Sequence, residues 1–404
     1  MIKKSLLLFS SFLSVFLMCS NLSVYAQKEE KNRESVKIDT SPFEDSVHHW
    51  YDFFADEYVI QPLPDKPRYE ETEIIKIADN ILLFQKSNGG WAKNYDMRAI
   101  LSDEQKQKLL DTKSVLHTTF DNGTTYTQVD YLAQAYTLTH QERFKEGCLK
   151  GIDFILSAQY GNGGWPQYYP FLPGNAGYSA HITFNDGAYI GIMNTLNRIL
   201  DKDPSFSFVD DARREWVKTA FSKGLDCILK TQIVENGERK VWCQQHDEVT
   251  LKPAWARTFE PPCLCSGESA PVVLFLMSIE HPDNRIIAAV QGAVKWFGES
   301  KILNTRCIDD PTAPKYISKY KVHNFDRRIV HDLNAPPIWT RYYELNTGRP
   351  IFCDRDRLIV YHISDLGRER RSGYSWYSYA PLEVLDRYSE WQKKWAKGDH
   401  ILLR

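Results

Sequence analysis

The stretch ILSAQYGNGGWPQY, opening at Ile155, repeats ILLFQKSNGGWAKN, which opens at Ile81. Gln85, Asn88, Gly89, Gly90 and Trp91 return as Gln159, Asn162, Gly163, Gly164 and Trp165, a shift of 74 residues. A degenerate third copy, ILKTQIVENGERKVW from Ile228, places Gln232 another 73 residues on, with Trp242 displaced by an insertion. Long internal periods mark arrays of one supersecondary unit, each burying its apolar face against the next. Here the period has room for two helices and long loops.

Each of the two clear copies closes an amphipathic segment. Thr72 to Lys86 carries Ile74, Ile77, Ala78, Ile81 and Gln85 on one face, and Glu142 to Gln159 carries Phe144, Cys148, Ile152, Ile155 and Gln159, both at helical spacing. Further helices are expected over Thr124–Leu138, Gly187–Leu200, Asp210–Gln232, Glu268–Ile279 and Asn284–Phe297. Strand-like alternation is scarce, with Val241–Gln245 and Ile351–Val360 the best pieces. The stretch from Gly161 to Ala188 is rich in glycine, proline and asparagine, so neither period runs through it. Its aromatics, Trp165, Tyr168, Tyr169, Phe171 and Tyr178, argue against disorder and for a functional loop.

The chain starts with MIKKSLLLFSSFLSVFLMCSNLSVYA, where two lysines precede an apolar run and Val24-Tyr25-Ala26 offers a cleavage site, the pattern of a secretory signal peptide over 1–26. The run is too short to favour a membrane span. A secreted or periplasmic monomer is expected; lipid anchoring at Cys19 is the competing reading, opposed by the bulk of Met18. Residues 27–47 read as a charged linker, and 48–404, without a composition break, as a single domain opening on the aromatic plug His49 to Phe54. A formal net charge of −2 gives no sign of a nucleic-acid partner, although a cleft can be basic on a neutral protein. The cysteines have no framework spacing and read as buried thiols; Cys263 and Cys265 lack a second pair for zinc.

A second regularity lies at helix starts. Thr119-Phe120-Asp121-Asn122-Gly123, Thr183-Phe184-Asn185-Asp186-Gly187 and Cys265-Ser266-Gly267-Glu268 each put an acid and small polar residues before an apolar helix. Capping explains each one alone. In a ring of hairpins the three starts would instead point into one cavity, where carboxylates from neighbouring loops suit a hard cation such as calcium. Two basic motifs, Trp255-Ala256-Arg257-Thr258-Phe259-Glu260 and Trp339-Thr340-Arg341-Tyr342-Tyr343-Glu344, hold an arginine three residues before a glutamate, and a local ion pair is the plain explanation of both. Lys93 follows the first glycine loop, and Arg368, Arg370 and Arg371 crowd before Tyr374. Guanidinium forks beside aromatic platforms are what an acidic polysaccharide needs.

The ordered set SNGGWAKN, TFDNGTTYTQ, GNGGWPQYYP, HITFNDGA, WARTFEPP with SGES, and WTRYYELNTGRPIF with RRSGYSWY resembles polysaccharide lyase family 10, the pectate lyases, from about Ala78 to Tyr377. The resemblance implies an all-α (α/α)3 toroid with long loops and a few short strands, and calcium (Ca2+)-dependent cleavage of polygalacturonate, the substrate in pectin, by anti β-elimination. Residue by residue it implies Asp121 and Asp186 at the calcium site, Arg257 on the substrate uronate, Arg341 as proton acceptor, and Lys93, Asn122, Thr124 and His181 along the groove. Arg349, Arg355 and Arg371 lie downstream of Arg341 as alternative bases. A guanidinium is almost wholly protonated below about pH 12, so the base role requires a shift from calcium and neighbouring cations. Three rivals remain: a toroid of the terpene-cyclase kind, which lacks its acid-rich motif here; a glycoside hydrolase acting on unsaturated uronides, with Asp121 and Asp186 as its acids; and a non-catalytic pectin-binding protein.

Overall fold

The computed structural model describes residues 36–53, 58–171 and 176–398. The expected signal peptide and Cys19 fall outside them. The α-helices of six residues or more are α1 (Glu44–Asp52), α2 (Ile74–Phe84), α3 (Asp103–Asp111), α4 (Tyr126–Thr139), α5 (Glu142–Ser157), α6 (Ala188–Leu200), α7 (Asp211–Thr231), α8 (Ser266–Ser278), α9 (Asn284–Ser300), α10 (Arg368–Gly373) and α11 (Ala380–Trp395). Consecutive helices pair as α4 with α5, α6 with α7 and α8 with α9. The pairs stand side by side in two rows, an outer one of α2, α5, α7 and α9 and an inner one of α4, α6, α8 and α11. This mostly helical α/α toroid matches the expected fold class. The inner helix α8, SGESAPVVLFLMS, is apolar nearly all round, as a helix enclosed by neighbours must be.

The repeat performs one job three times. Gln85 Nε2 donates to the Gly89 and Gly147 carbonyls, Gln159 Nε2 to those of Gly163 and Ala220, and Gln232 Nε2 to those of Lys240 and Ala289. Each glutamine therefore ties its own loop to the next outer helix. The tryptophans that follow, Trp91, Trp165 and Trp242, are fully buried and donate their indole N–H back to Ile81, Ile155 and Ile228. The displaced third copy is thus a true one. Gly89 and Gly163 have φ of +93° and +96°, and a Cβ on either would lie 2.3 or 2.0 Å from a backbone oxygen of the next outer helix.

The linker expected over 27–47 ends early. Ile38, Phe43 and Val47 are all buried, so the packed body includes residues ahead of His48. Their apolar side chains gain more from the core than the charged neighbours lose. The strand expected over Val241–Gln245 shortens to Gln245–His246, paired with Ile182–Thr183, and Ile351–Val360 divides into Pro350–Cys353 and Ile359–Val360 around a turn. Those last two strands continue an antiparallel sheet through Tyr342–Tyr343 to Leu264–Cys265. A six-residue ribbon, Thr305–Asp310 against Asp326–His331, was not expected; it is mostly half-exposed and lacks an in–out alternation that a sequence could display.

Candidate active site

The starts of the inner helices α4, α6 and α8 are neighbours, and that is why their acids meet. The first two starts are built alike. Asp121 N–H and Asn185 N–H each donate to the threonine two residues back, and the next residues, Asn122 and Asp186, both take left-handed φ, +50° and +48°. Asn and Asp tolerate that region best after glycine. Aligned in this way, Asp121 stands where Asn185 stands, and Asp186 where Asn122 does. The second motif reverses the order of acid and amide.

The reversal places an amide between the two carboxylates. Asn185 Nδ2 donates to Asp121 Oδ1 at 3.1 Å and to Asp186 Oδ2 at 2.5 Å. Lys93 holds the other oxygen of Asp121 and lies 5.7 Å from the Tyr168 ring. Neither acid caps its helix: Gln128 reaches back to the Thr125 N–H at the start of α4, and Gly187 precedes α6. Capping therefore does not account for them.

Arg341 joins this cluster from the far side of the sequence. Its backbone N–H donates to the Trp376 carbonyl and its carbonyl accepts from Ser266, because Tyr342 pairs with Cys265 and Thr340 with Tyr377. That register delivers its guanidinium, whose side chain is only 11% exposed, to Glu268 in the first turn of α8. Nη2 also reaches Asn185 Oδ1 at 3.2 Å and Asp186 at 3.9 Å, and Nε donates to Gln244 Oε1 at 3.2 Å. The local Arg341–Glu344 pair that the sequence allowed is not formed; Glu344 bonds Thr347 and Tyr361. Arg257 does form its local pair, with Glu260 at 2.5 Å, yet keeps 42% of its side chain exposed over Phe259 and Tyr374.

Charge is unevenly compensated here. Burial by itself would raise Asp121, but the charge and hydrogen bond of Lys93, with Arg257 behind them, bring its pKa below the usual carboxylate range. Asp186 goes the other way, raised by burial and by the negative charge of Asp121. Burial pushes Glu268 up to about 7 against the pull of Arg341. Arg341 differs from expectation. Burial opposes its charge, but Tyr374, Glu268 and Tyr342 outweigh that and raise its pKa further. The protein groups that dominate around it are a carboxylate and phenols, so a shift toward the neutral form would fall to calcium.

The remaining candidates are more scattered. Asn122 and Thr124 are buried and brace the Asp121 turn, Asn122 through Asn94 and Ser46, Thr124 through Ser46. His181 Nδ1 bonds Glu248 at 2.7 Å, and with Asp247 these form a His/carboxylate group whose ligand atoms lie within 4.8 Å of one another. Arg349 packs over Tyr361, Arg355 pairs with Glu369, and Arg371 with Asp326. Arg370, one of the three arginines crowded before Tyr374, is buried against Phe259. A cavity of about 680 Å³ opens behind Thr340, lined by Ile302, Arg328, Phe352, Tyr361 and Tyr377 among others, and none of the cluster acids borders it.

The sequence profile of pectic acid lyase matches residues 85–385. The chain belongs to this family. Among solved structures, the family 10 polysaccharide lyase from Cellvibrio cellulosa is 31% identical, with a TM-score of 0.65 over 78% of this chain and 91% of that one. An alanine variant of the Cellvibrio enzyme in complex with trigalaturonic acid matches equally, at 31% identity and TM-score 0.65 over 78% and 92%. A search of curated proteins gives no match. As a pectic acid lyase the chain is a polysaccharide lyase, an enzyme. The sequence marks Glu268 only as a helix-start acid and gives Asn185 and Gln244 no role. For Asn185 a signal existed, the alignment of TFDNG with TFNDG; for Gln244 there was none. Among the described residues no helix is long and apolar enough to cross a membrane.

Proposed function

We propose that the chain cleaves polygalacturonate by calcium-assisted anti β-elimination, releasing oligogalacturonates with a 4,5-unsaturated end. The observation that carries this reading is the convergence of Asp121, Asp186 and Glu268 with Arg341, near Arg257, in one cluster. Carboxylate oxygen is the donor type a hard cation takes, and Asp186, raised beside Asp121, is a carboxylate short of counter-charge; to ligate together, these acids would have to close up, since among the described residues only His181, Asp247 and Glu248 bring three ligand atoms within 4.8 Å. Asp121 and Asp186, with Glu268 beside them, would hold calcium, which when bound supplies a positive charge to neutralise a substrate carboxylate. Arg257 offers that carboxylate its fork. Lys93 and His181 would line the groove, while Asn122 and Thr124 keep Asp121 aimed.

Arg341 would accept the proton from C5. The C5–H bonding pair becomes the C4=C5 double bond, the C4–O4 bond breaks, and the departing oxygen takes a proton from water. Arg341 Nη1 makes no hydrogen bond among the described residues and is the nitrogen left to face substrate. In the fold as described, Arg341 is a full guanidinium, so acceptance requires that Glu268 and Asp186 release their hold on its charge. The base role therefore depends on the cation, whereas the cation's role on the substrate carboxylate does not depend on the base. The leader over 1–26 adds export of the enzyme to the same proposal.

The test is incubation of the purified protein with polygalacturonate, with and without chelator, followed in the ultraviolet. Absorbance of a conjugated alkene should rise with calcium and stay flat with chelator. New reducing ends without that absorbance would favour the hydrolase reading, and no cleavage at all the binding protein.

A further inference from the structure

We infer that Gln244 is a positioning residue that sets the plane of the Arg341 guanidinium. This rests on Arg341 being the reacting base. A guanidinium is planar, so one hydrogen bond leaves it free to swing and two along an edge fix it. Arg341 has such an edge: Nη2 is held by Glu268 and Asn185, and Nε by Gln244 Oε1 at 3.2 Å. The opposite nitrogen, Nη1, is then aimed in one direction.

The surroundings of Gln244 make its carbonyl the point of convergence. Oε1 also accepts from Tyr342 at 2.6 Å, while Tyr374, 2.7 Å from the Tyr342 hydroxyl, gives its one proton to Glu260 at 2.9 Å. Gln244 is 2% exposed, and its Nε2 is buried without a hydrogen bond. Native folds rarely leave a buried donor unbonded. Turning the amide over would put its NH2 against the permanent N–H donor of Arg341, so the fold keeps the oxygen inward and leaves the nitrogen orphaned. The backbone is fixed as well, since the Gln244 carbonyl accepts from Phe184 N–H, one residue before Asn185. One residue therefore ties the Asn185–Asp186 turn to the arginine. The acceptor at Nε is also neutral, and a second carboxylate there would hold the arginine's charge harder.

The test compares Gln244→Met, which keeps the length but removes the acceptor, with the parent, Gln134→Met and Arg341→Lys. Turnover of polygalacturonate is measured beside a calorimetric dissociation constant for trigalacturonate. Gln244→Met should lose at least about 10-fold in kcat with binding within about 2-fold, because misplacing a catalytic group costs rate more than affinity. Gln134→Met makes the same change at a glutamine that donates to the Asp130 carbonyl and has no hydrogen bond to the cluster, so its kcat should stay close to the parent's. If Gln244→Met does not fold, Gln244→Asn keeps an amide but withdraws it by one methylene, and the same split is expected. Parent-like kcat in the Gln244 variant, a binding loss proportionate to the rate loss, or an equal loss in Gln134→Met overturns the inference. Parent-like turnover in Arg341→Lys would instead overturn the base reading beneath it.

Discussion

Asp121 and Asp186 share one amide hydrogen-bond donor, yet their charges are shifted in opposite directions, and substitution should expose the difference between catalysis and capping. Asp121→Ala and Asp186→Ala should each lower turnover by about 100-fold or more, the cost of losing charge stabilisation at a developing anion. Helical circular dichroism should not change, since neither side chain caps a helix. Loss of helix signal in either would restore the capping explanation. Arg341→Lys should be almost inactive while binding oligogalacturonate nearly as well as the parent, because its contribution belongs to the transition state. Arg349→Lys is the control, since its guanidinium lies over Tyr361. A proportionate loss of binding and rate at Arg341 would make it a carboxylate clamp. Glu268 adds a pH dependence. An acid with its pKa pushed up to about 7 is protonated below that pH and charged above it, so between pH 6 and 8 the cluster gains a negative charge. Calcium affinity measured by calorimetry should therefore rise across that interval by up to about 10-fold, the linkage expected of one shifted proton. Glu268→Gln should flatten the rise; an equal rise in the variant would assign it elsewhere.

At the scale of elements, the glutamine–glycine–tryptophan loop is what joins one outer helix to the next. Gly163 shows the constraint plainly, with φ of +96° and a Cβ position 2.0 Å from the Lys223 oxygen. Gly163→Ala should lower stability by roughly 2–4 kcal/mol through backbone strain and overpacking. Gly161, two residues earlier, has open space where its Cβ would go, and Gly161→Ala should stay within about 0.5 kcal/mol. Equilibrium denaturation of the two variants side by side checks this, and equal stability would mean the loop can shift away from α7. Helix α3 carries a start signal in its sequence, Ser102 with Gln105 reciprocally bonded as a capping box. Its polar face hid it from a search for apolar periodicity. The start of α4 is harder to read, because the residue that reaches back to its first turn, Gln128, stands beyond the conspicuous Asp121.

At the scale of the whole molecule, the proposed roles of the two arginines and the acid cluster would make the substrate's carboxylates the feature recognised. Unmethylated polygalacturonate should be cleaved at least about 10-fold faster than highly methylated pectin, since an ester offers neither a bidentate acceptor for Arg257 nor a carboxylate for calcium. Initial rates on the two polymers decide it, and equal rates would remove both roles. The sequence by itself determined the repeating unit, the helices that its spacing marks, and the residues that gather at the inner helix starts. Those are local properties, set by periodicity and by which side chains tolerate a left-handed turn. Only the tertiary structure decided that Arg341 takes Glu268 rather than Glu344 as its partner, that Asn185 sits between Asp121 and Asp186, and that Gln244 reaches the same guanidinium. Each of those contacts depends on strand register and helix adjacency across 64 residues or more, which no spacing rule along the chain encodes. The same holds for the charge on Arg341: its neighbours are chosen by packing, and packing surrounds it with a carboxylate and two phenols.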